Sequence, residues 1–404
     1  MFVLRTLKIP VHYSTTKLKL YKLDRLTRRL SYTVKLWSKL IDDNNIRVRR
    51  ELQDLRYQHY VQEKTRLSSG FVQQAGNKAF WVWKSYRKKL KQNSFIQKPF
   101  SKNKRIAVRI DYRTGSIKKV SLKLASYGVE LSTLKKHEKL FLLLNPSEYH
   151  LKKLSEGKIQ DFEIIKKKGK YFVYVVCGFE VEEQKPEKIR GIDLGINRSI
   201  TTVLLSKTEK PQINILIDKQ KQELLTKYNE LIARLQQVKK KKKLKQLSDK
   251  RKRIAEYFDR VLAKQLSKLS GENEIVAAGY PYNIRAKNMR GNYNKRLREV
   301  VHQWSFSRLL KFITEKYEEK GMRVLLVSEK FTSKKCCFCS SMNTERPTQP
   351  ELHCKNCNAK IDADVNAAIN IALSVRNATD ELAATDNDFL YKGLKSETNE
   401  LIQG

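Results

Sequence analysis

No apolar run in this 404-residue chain approaches the roughly 18 residues that a spanning helix needs, which argues against an integral membrane protein. The opening stretch, MFVLRTLKIPVHYS, is too short in its apolar part and too strand-like for a signal peptide, so a cytosolic location is expected. Acidic residues are scarce: 42 Asp and Glu stand against 84 Lys and Arg, a formal charge of +42. Such a charge repels itself unless a polyanion neutralises it. Nucleic acid is the default partner. An anionic membrane surface is the rival, and the lack of long apolar segments counts against it. Cysteine is also rare, at six residues, and the chain has no internal repeats. The length allows two or three domains, each with its own core.

Four of the six cysteines share one frame. Cys336 and Cys339 form a C-x2-C pair, Cys354 and Cys357 form a second, and 14 residues separate them. That is just under the usual spacing of four-cysteine zinc sites. Zinc favours a tetrahedron of thiolates, and each C-x2-C turn supplies two from one side. A disulfide reading is weaker, because nothing else in the chain looks secreted. Cys337, inside the first pair, reads as a bystander, and Cys177 in YFVYVVCGF as a buried strand residue.

Along the chain, residues 2–13 read as a strand, and about 16–91 as helical, with LDRLTRRLSYTVKLWSKLI close to amphipathic spacing. Trp37 reads as core. Trp81 and Trp83, set among Lys and Arg, are read equally as core or as base-stacking residues. From about Ile106 the period changes to short β-branched runs, an antiparallel barrel or sandwich. After Pro186 come a strand, a glycine turn and a strand, then a helical arm over 218–270. The run Lys239, Lys240, Lys241, Lys242 and Lys243 within that arm is either a solvated helical face or a phosphate-tracking one. NEIVAAGY reads as a strand, HQWSFSRLLKFITEKYEEKG as a helix closed by Gly321, and MRVLLVSE as a strand parallel to the first. The stretch beyond Ala378 turns acidic and loses periodicity, and reads as mobile.

Three acids stand out. Asp193 is read as mid-strand in an apolar segment, where a carboxylate costs free energy unless paired or metal-bound. Asp362 and Asp364 lead into the Ala- and Ile-rich segment VNAAINIA, where the plain reading is a pair of helix caps. Carboxylates of this kind, far apart in sequence, point to divalent-metal chemistry.

Together GIDLGIN, FTSKKCCFC with HCKNC, and DADVNAAINIA, in that order, resemble the TnpB family, the insertion-sequence OrfB proteins related to type V CRISPR effector nucleases. The close matches lie in the C-terminal half. The resemblance implies a multidomain α/β plus β protein: an RNase H-like (RuvC) nuclease domain with an inserted zinc ribbon, and an N-terminal β-barrel (wedge) domain with a helical recognition insert. The implied boundaries are 1–15 and 95–182 for the wedge, 16–94 for the insert, 183–332 for the nuclease domain, 333–360 for the ribbon, 361–378 for motif three with its helix, and 379–404 for the tail. The implied function is an RNA-guided DNA endonuclease, using structural zinc, catalytic Mg²⁺ and a guide RNA from the element to cut double-stranded target DNA.

Asp193 is then the motif-one ligand and Asp364 the motif-three ligand, with Asp362 a cap or an acceptor behind the ligands. Motif two departs from the family. Gly279 stands where a glutamate is expected, and glycine has no side chain to bind metal. Either the site is dead, leaving an RNA-guided repressor, or the carboxylate has moved. Glu329, at the end of the neighbouring strand, is the replacement expected here, against a plain surface residue before a turn. Glu272, Glu274 and Glu299 lie at the wrong strand end or on a helix. A strand-transferring transposase is the third reading, since fold does not fix function.

Overall fold

The computed structural model describes residues 1–91, 95–100, 105–207, 209–282, 284, 301 and 304–376, with the backbone alone for Arg376. The tail from 379 and Glu299 lie outside these. The chain divides into two units, one of Phe2–Glu180 and one of Met1 with the residues from Val181 onward. None of the described helices is long and apolar enough to cross a membrane.

In the first unit, β1 (Phe2–Pro10) alternates buried and exposed residues and pairs antiparallel with β7 (Lys170–Glu180). With β6 (Lys158–Lys167) and β2 (Arg109–Ile110) they form a sheet of order β1-β7-β6-β2. A second sheet holds β3 (Gly115–Leu122), β4 (Ala125–Ser132) and β5 (Lys139–Leu143), and a bridge between Val11 and Leu144 links the chain segments. The sequence reading missed β4, whose Gly128 and Glu130 interrupt the β-branched pattern.

Between β1 and β2 run α1 (Lys17–Asp43), α2 (Leu55–Thr65) and α3 (Ser69–Leu90). Trp37 of α1 is fully buried, and its indole N–H donates to the Val72 carbonyl at 2.9 Å. A Cβ at Gly76 would stand 3.0 Å from the Trp37 ring, so the bare backbone there lets α3 lie against the indole. Helix α4 (Glu148–Glu156) precedes β6.

The second unit is organised by a five-stranded sheet. Its strands are β8 (Lys188–Asp193), β9 (Ile200–Leu205), β10 (Gln212–Leu216), β11 (Glu274–Tyr280) and β12 (Val324–Ser328), in the order β10-β9-β8-β11-β12. Strands β8, β11 and β12 run parallel, whereas β9 pairs antiparallel with both β8 and β10. The strand β11 is apolar nearly throughout because both its faces are covered. Alternation of side chains divides the cover. Ile192, Val276 and Ala278 face α6 (Lys241–Leu269) and α7 (Phe306–Glu318). Ile189, Ile275 and Ala277 face α8 (Ala363–Arg376).

One expectation needs correction. Asp193 is the last residue of β8 rather than mid-strand, because the chain turns tightly at Gly195, where a Cβ would stand 2.5 Å from the Arg198 carbonyl oxygen. The helical arm consists of two helices, α5 (Lys219–Gln237) and α6. The chain reverses at Lys239, which takes a φ of 50°. At the base of this hairpin the fully buried Asp259 accepts from Lys221 at 2.5 Å, from Arg308 at 2.6 Å and from Ser305 at 2.8 Å. A buried charge is tolerated when partnered in this way.

Candidate metal centres and nucleic-acid surfaces

Parallel strands present their carboxyl ends along one edge, where open α/β sheets hold their ligands. Asp193 ends β8, Gly279 lies near the end of β11, and Glu329 follows β12 directly. Ala278 pairs with Ile192 and Gly279 with Val327, so Asp193, Gly279 and Glu329 share the parity of the face under α8. Gly191 explains how close that helix comes. A Cβ there would stand 2.0 Å from the Ala368 carbonyl oxygen, so only glycine lets α8 settle on β8 and bring Asp364, in its first turn, over the acids.

A Cβ built on Gly279 would lie 2.6 Å from Glu329 Oε1 and 2.7 Å from its Cγ. The Glu329 side chain therefore fills the space that a side chain at Gly279 would need. Its Oε1 is buried and has no hydrogen-bond partner. Burial pushes the Glu329 carboxyl up to about 7. Burial also raises Asp193 well above the carboxylate range, aided by the charges of Glu329, Asp364 and Asp362. Asp364 is raised by burial and by Asp362, against the pull of Arg198 and Arg346. Carboxylates that repel one another, one with an unused buried oxygen, suit a hard divalent cation such as Mg²⁺, which takes oxygen ligands.

The metal-free protein should accordingly lose stability as pH rises through about 7. A carboxyl with a raised folded pKa holds its proton where the unfolded chain has released it, so its contribution is complete below the unfolded value near 4.5, falls as the pH climbs from there, and is gone above about 7. Thermal melts between pH 5 and 8 (roughly spanning that window) in Mg²⁺-free buffer should show the fall, and Glu329→Gln should flatten it.

Asp362 does not join these acids as an equal. Its Oδ1 accepts from the Asp364 and Val365 N–H groups at 3.0 and 3.1 Å, a helix cap. Its Oδ2 accepts from Arg198 at 2.5 Å, and the same guanidinium lies 3.5 Å from Asp364. Glu274 is likewise spoken for, in a buried two-point pair with Arg190 at 2.7 and 2.9 Å at the far end of β11. Beside the acids opens a cleft of about 370 Å³, lined by Arg198, Trp304, Arg346 and Asp364 among others. Sequence reading missed Arg198, Trp304 and Arg346, since only the fold brings together the turn after β8, the segment before α7 and the ribbon.

The cysteine frame is compact. Among the described residues, Cys336, Cys339, Cys354 and Cys357 are the one group of possible metal ligands whose ligand atoms all lie within 4.8 Å. The Sγ atoms of Cys336 and Cys357 are 3.7 Å apart, and those of Cys339 and Cys354 are 3.5 Å apart. Thiolates at about 2.3 Å from zinc would span edges of nearly this length. The group is carried by β13 (Thr344–Glu345), β14 (Glu351–Cys354) and β15 (Lys360–Asp362) with the turns before them. Cys337 stands outside the group and packs toward the core under α8, while Cys177 is a buried residue of β7.

Two kinds of surface suit a polyanion. Lys239 to Lys243 lie exposed at the tip of the α5–α6 hairpin, the last three in the first turn of α6, which holds no acid. Cations there oppose the helix dipole, so the run does not serve the helix itself. The second surface is the outer face of α1, where Tyr21, Arg25, Arg28 and Tyr32 are all exposed at spacings of four, three and four. Reading the polar face of α1 as closely as its apolar one would have found it. Trp81 is 52% exposed with Lys84 over its ring, whereas Trp83 is buried and donates to Ser38 at 2.8 Å.

Comparison with known proteins gives this arrangement its relatives. Residues 306–371 match the family model described as Cas12f1-like, TNB domain. Over 232 residues, 52% of this chain and 42% of the relative, the sequence is 28% identical to the CRISPR-associated endodeoxyribonuclease Cas12f2 of a Micrarchaeota archaeon. Over 105 residues, 24% of this chain and 37% of the relative, it is 31% identical to the TnpB-like protein MJ0751 of Methanocaldococcus jannaschii. These matches thus span less than half of either relative's length. In fold the chain is similar to the protein in a cryo-EM structure of a Cas12f1-sgRNA-target DNA complex, at a TM-score of 0.59 and 14% identity over 92% of this chain and 99% of that one. The fold is a multidomain α/β one, similar to that of the Cas12f1 protein in that complex. The relatives of this chain are TnpB/Cas12f-type proteins, in agreement with its motifs.

Proposed function

We propose that this protein is an RNA-guided DNA endonuclease whose RuvC-like site is built from Asp193, Asp364 and a relocated glutamate, Glu329. The observation that carries the reading is the Glu329 carboxylate lying in the space above Gly279, beneath the same helix that brings Asp364 over Asp193. An abandoned site has no chemical need to keep three acids against one another's charge. Residues 183–332 and 361–378 form the nuclease domain, 333–360 a zinc ribbon held by the four cysteines, 1–15 and 95–182 the wedge, and 16–94 the recognition insert.

In this reading Asp193, Glu329 and Asp364 hold Mg²⁺. Bound there, the metal supplies charge stabilisation at the phosphodiester oxygens and an activated water. Arg198 and Arg346, which line the cleft with Asp364, neutralise the non-bridging oxygens of the phosphate being cut. Trp304 offers a ring to a base beside that phosphate. Elsewhere the hairpin lysines, Trp81 and the exposed face of α1 meet phosphates and bases of the guide RNA or its DNA partner. Pairing reads the sequence, and the protein holds the duplex by charge and shape.

Expression with the native flanking DNA, followed by sequencing of copurified RNA, tests the reading. A discrete RNA is expected, held steeply against salt, with about 10³-fold or more lost between 50 and 200 mM if six or more phosphates are neutralised. DNA complementary to that RNA should be cut in Mg²⁺ and left unjoined, and Asp193→Ala should abolish cutting. Joined strands would favour a transposase. Target binding with no cutting in Mg²⁺ or Mn²⁺ would favour a guided repressor, the reading that the missing glutamate at Gly279 supports.

A further inference from the structure

We propose that Thr332, Asn366 and Asn370 tie Glu329 to the cysteine ribbon and so position it, coupling the thiolate site and the acid site. This rests on the reading of Glu329 as a metal ligand. A glutamate on β11 would be held by the sheet. Glu329 instead stands on the segment that enters the ribbon, and something other than strand pairing must hold it.

The structure provides a continuous set of contacts. Thr332 ties back to Glu329, its hydroxyl donating to the Glu329 carbonyl at 3.0 Å and its N–H at 3.3 Å. The Thr332 carbonyl in turn accepts from the side-chain amides of Asn366 at 3.0 Å and Asn370 at 2.9 Å. The same two amides reach the Lys335 carbonyl at 2.9 and 2.7 Å. Asn366 also accepts from the Cys337 N–H at 2.9 Å, inside the first cysteine pair. Both asparagines lie on α8, one turn apart, and that helix carries Asp364. One clamp therefore fixes the ribbon's knuckle, the Glu329 backbone and Asp364 relative to one another.

Between the two ends Phe331 takes a φ of 69°, in the left-handed region that a bulky residue avoids. Such a conformation persists where surrounding contacts over-determine it, and the bonds from Thr332 to Glu329 across it, with the amide bonds to Thr332 and Lys335 after it, do so. Asn366 is fully buried, so its amide has no competing water. The amides point at carbonyls and not at solvent, which makes the clamp specific to this loop path.

The test measures Mn²⁺ affinity by electron paramagnetic resonance and calorimetry on the full chain with its copurified RNA. Thr332→Val removes the hydroxyl and keeps the shape, and Asn370→Leu removes one of the two amides while sparing the fully buried Asn366. Partners behind metal ligands typically contribute about 10- to 100-fold in affinity. Each variant is expected to weaken Mn²⁺ binding by about 10-fold, with the zinc content per chain unchanged, and Thr332→Ser should restore it. Unchanged Mn²⁺ affinity in both variants, with Glu329→Gln losing it, would overturn the coupling and leave the acid site standing. Unchanged affinity in Glu329→Gln would overturn the assignment of Glu329 and the coupling with it.

Discussion

Glu329→Gln is expected to lower Mg²⁺-dependent DNA cleavage by about 10³-fold or more, on the order of 4 kcal/mol of transition-state stabilisation, while guided DNA binding is unchanged. The amide keeps the shape of the side chain and removes its charge, so the loss isolates the ligand role. The converse variant is as informative. Gly279→Glu alone puts a side chain where Glu329 Oε1 and Cγ already lie, 2.6 and 2.7 Å from the new Cβ, and should also cut poorly. Combining Gly279→Glu with Glu329→Ala removes the Glu329 atoms, leaves only the Ile371 Cδ1 methyl, 2.8 Å away, to shift, and returns a carboxylate from the neighbouring strand. Cleavage in the double variant should recover to within about 100-fold of the original, the cost of a misplacement near 1 Å. Single-turnover cleavage of a guide-matched duplex measures all three. A Glu329→Gln protein that still cuts at nearly the original rate would assign the third ligand elsewhere.

The second large effect is expected at the cysteines. Metal analysis should return about one zinc per chain, and Cys354→Ser should leave the ribbon short of a ligand. Structural zinc contributes on the order of 10 kcal/mol to the folding of small modules that have little core of their own. The buried core at the cysteines is small, limited to Cys336, Cys354 and Ala359. Leu352 and Ile361 of the ribbon strands instead join the core under α8. Loss of zinc should therefore expose the segment from about 333 to 360 to limited proteolysis and also loosen the packing over β8. Protein purified under reducing conditions without chelator, yet free of zinc, would contradict this.

Much of the site is legible in the residues themselves. The C-x2-C pairs declare themselves because zinc geometry demands two ligands from each tight turn, and turns are local. Asp193 stands out because a carboxylate beside an apolar strand needs a reason, although its place at the strand's end depends on the turn at Gly195. Trp37 is legible from helical spacing. Trp81 and Trp83 are not, because two residues so close in sequence face different sides of α3, and neighbouring helices decide which side is covered. Nor does the lysine run show that it caps a hairpin rather than coating a helix, since the reversal depends on a left-handed Lys239 that no residue pattern announces.

Ligand chemistry, charge and the order of strands and helices are written in the chain, because they follow from residue type and from short-range periodicity. The resemblance of the motifs to the TnpB family raises the question of Gly279, and strand order names Glu329 as the replacement expected there. Which atoms meet is a matter of packing. Glu329 fills the volume left by Gly279 because β11 and β12 pair in parallel register with Gly279 opposite Val327. Asp364 comes over Asp193 because Gly191 has no Cβ to hold α8 away. Arg198 and Arg346 reach the same cleft from turns far apart in the chain. Such proximities are set across strands and helices, at separations for which a linear pattern carries no signal.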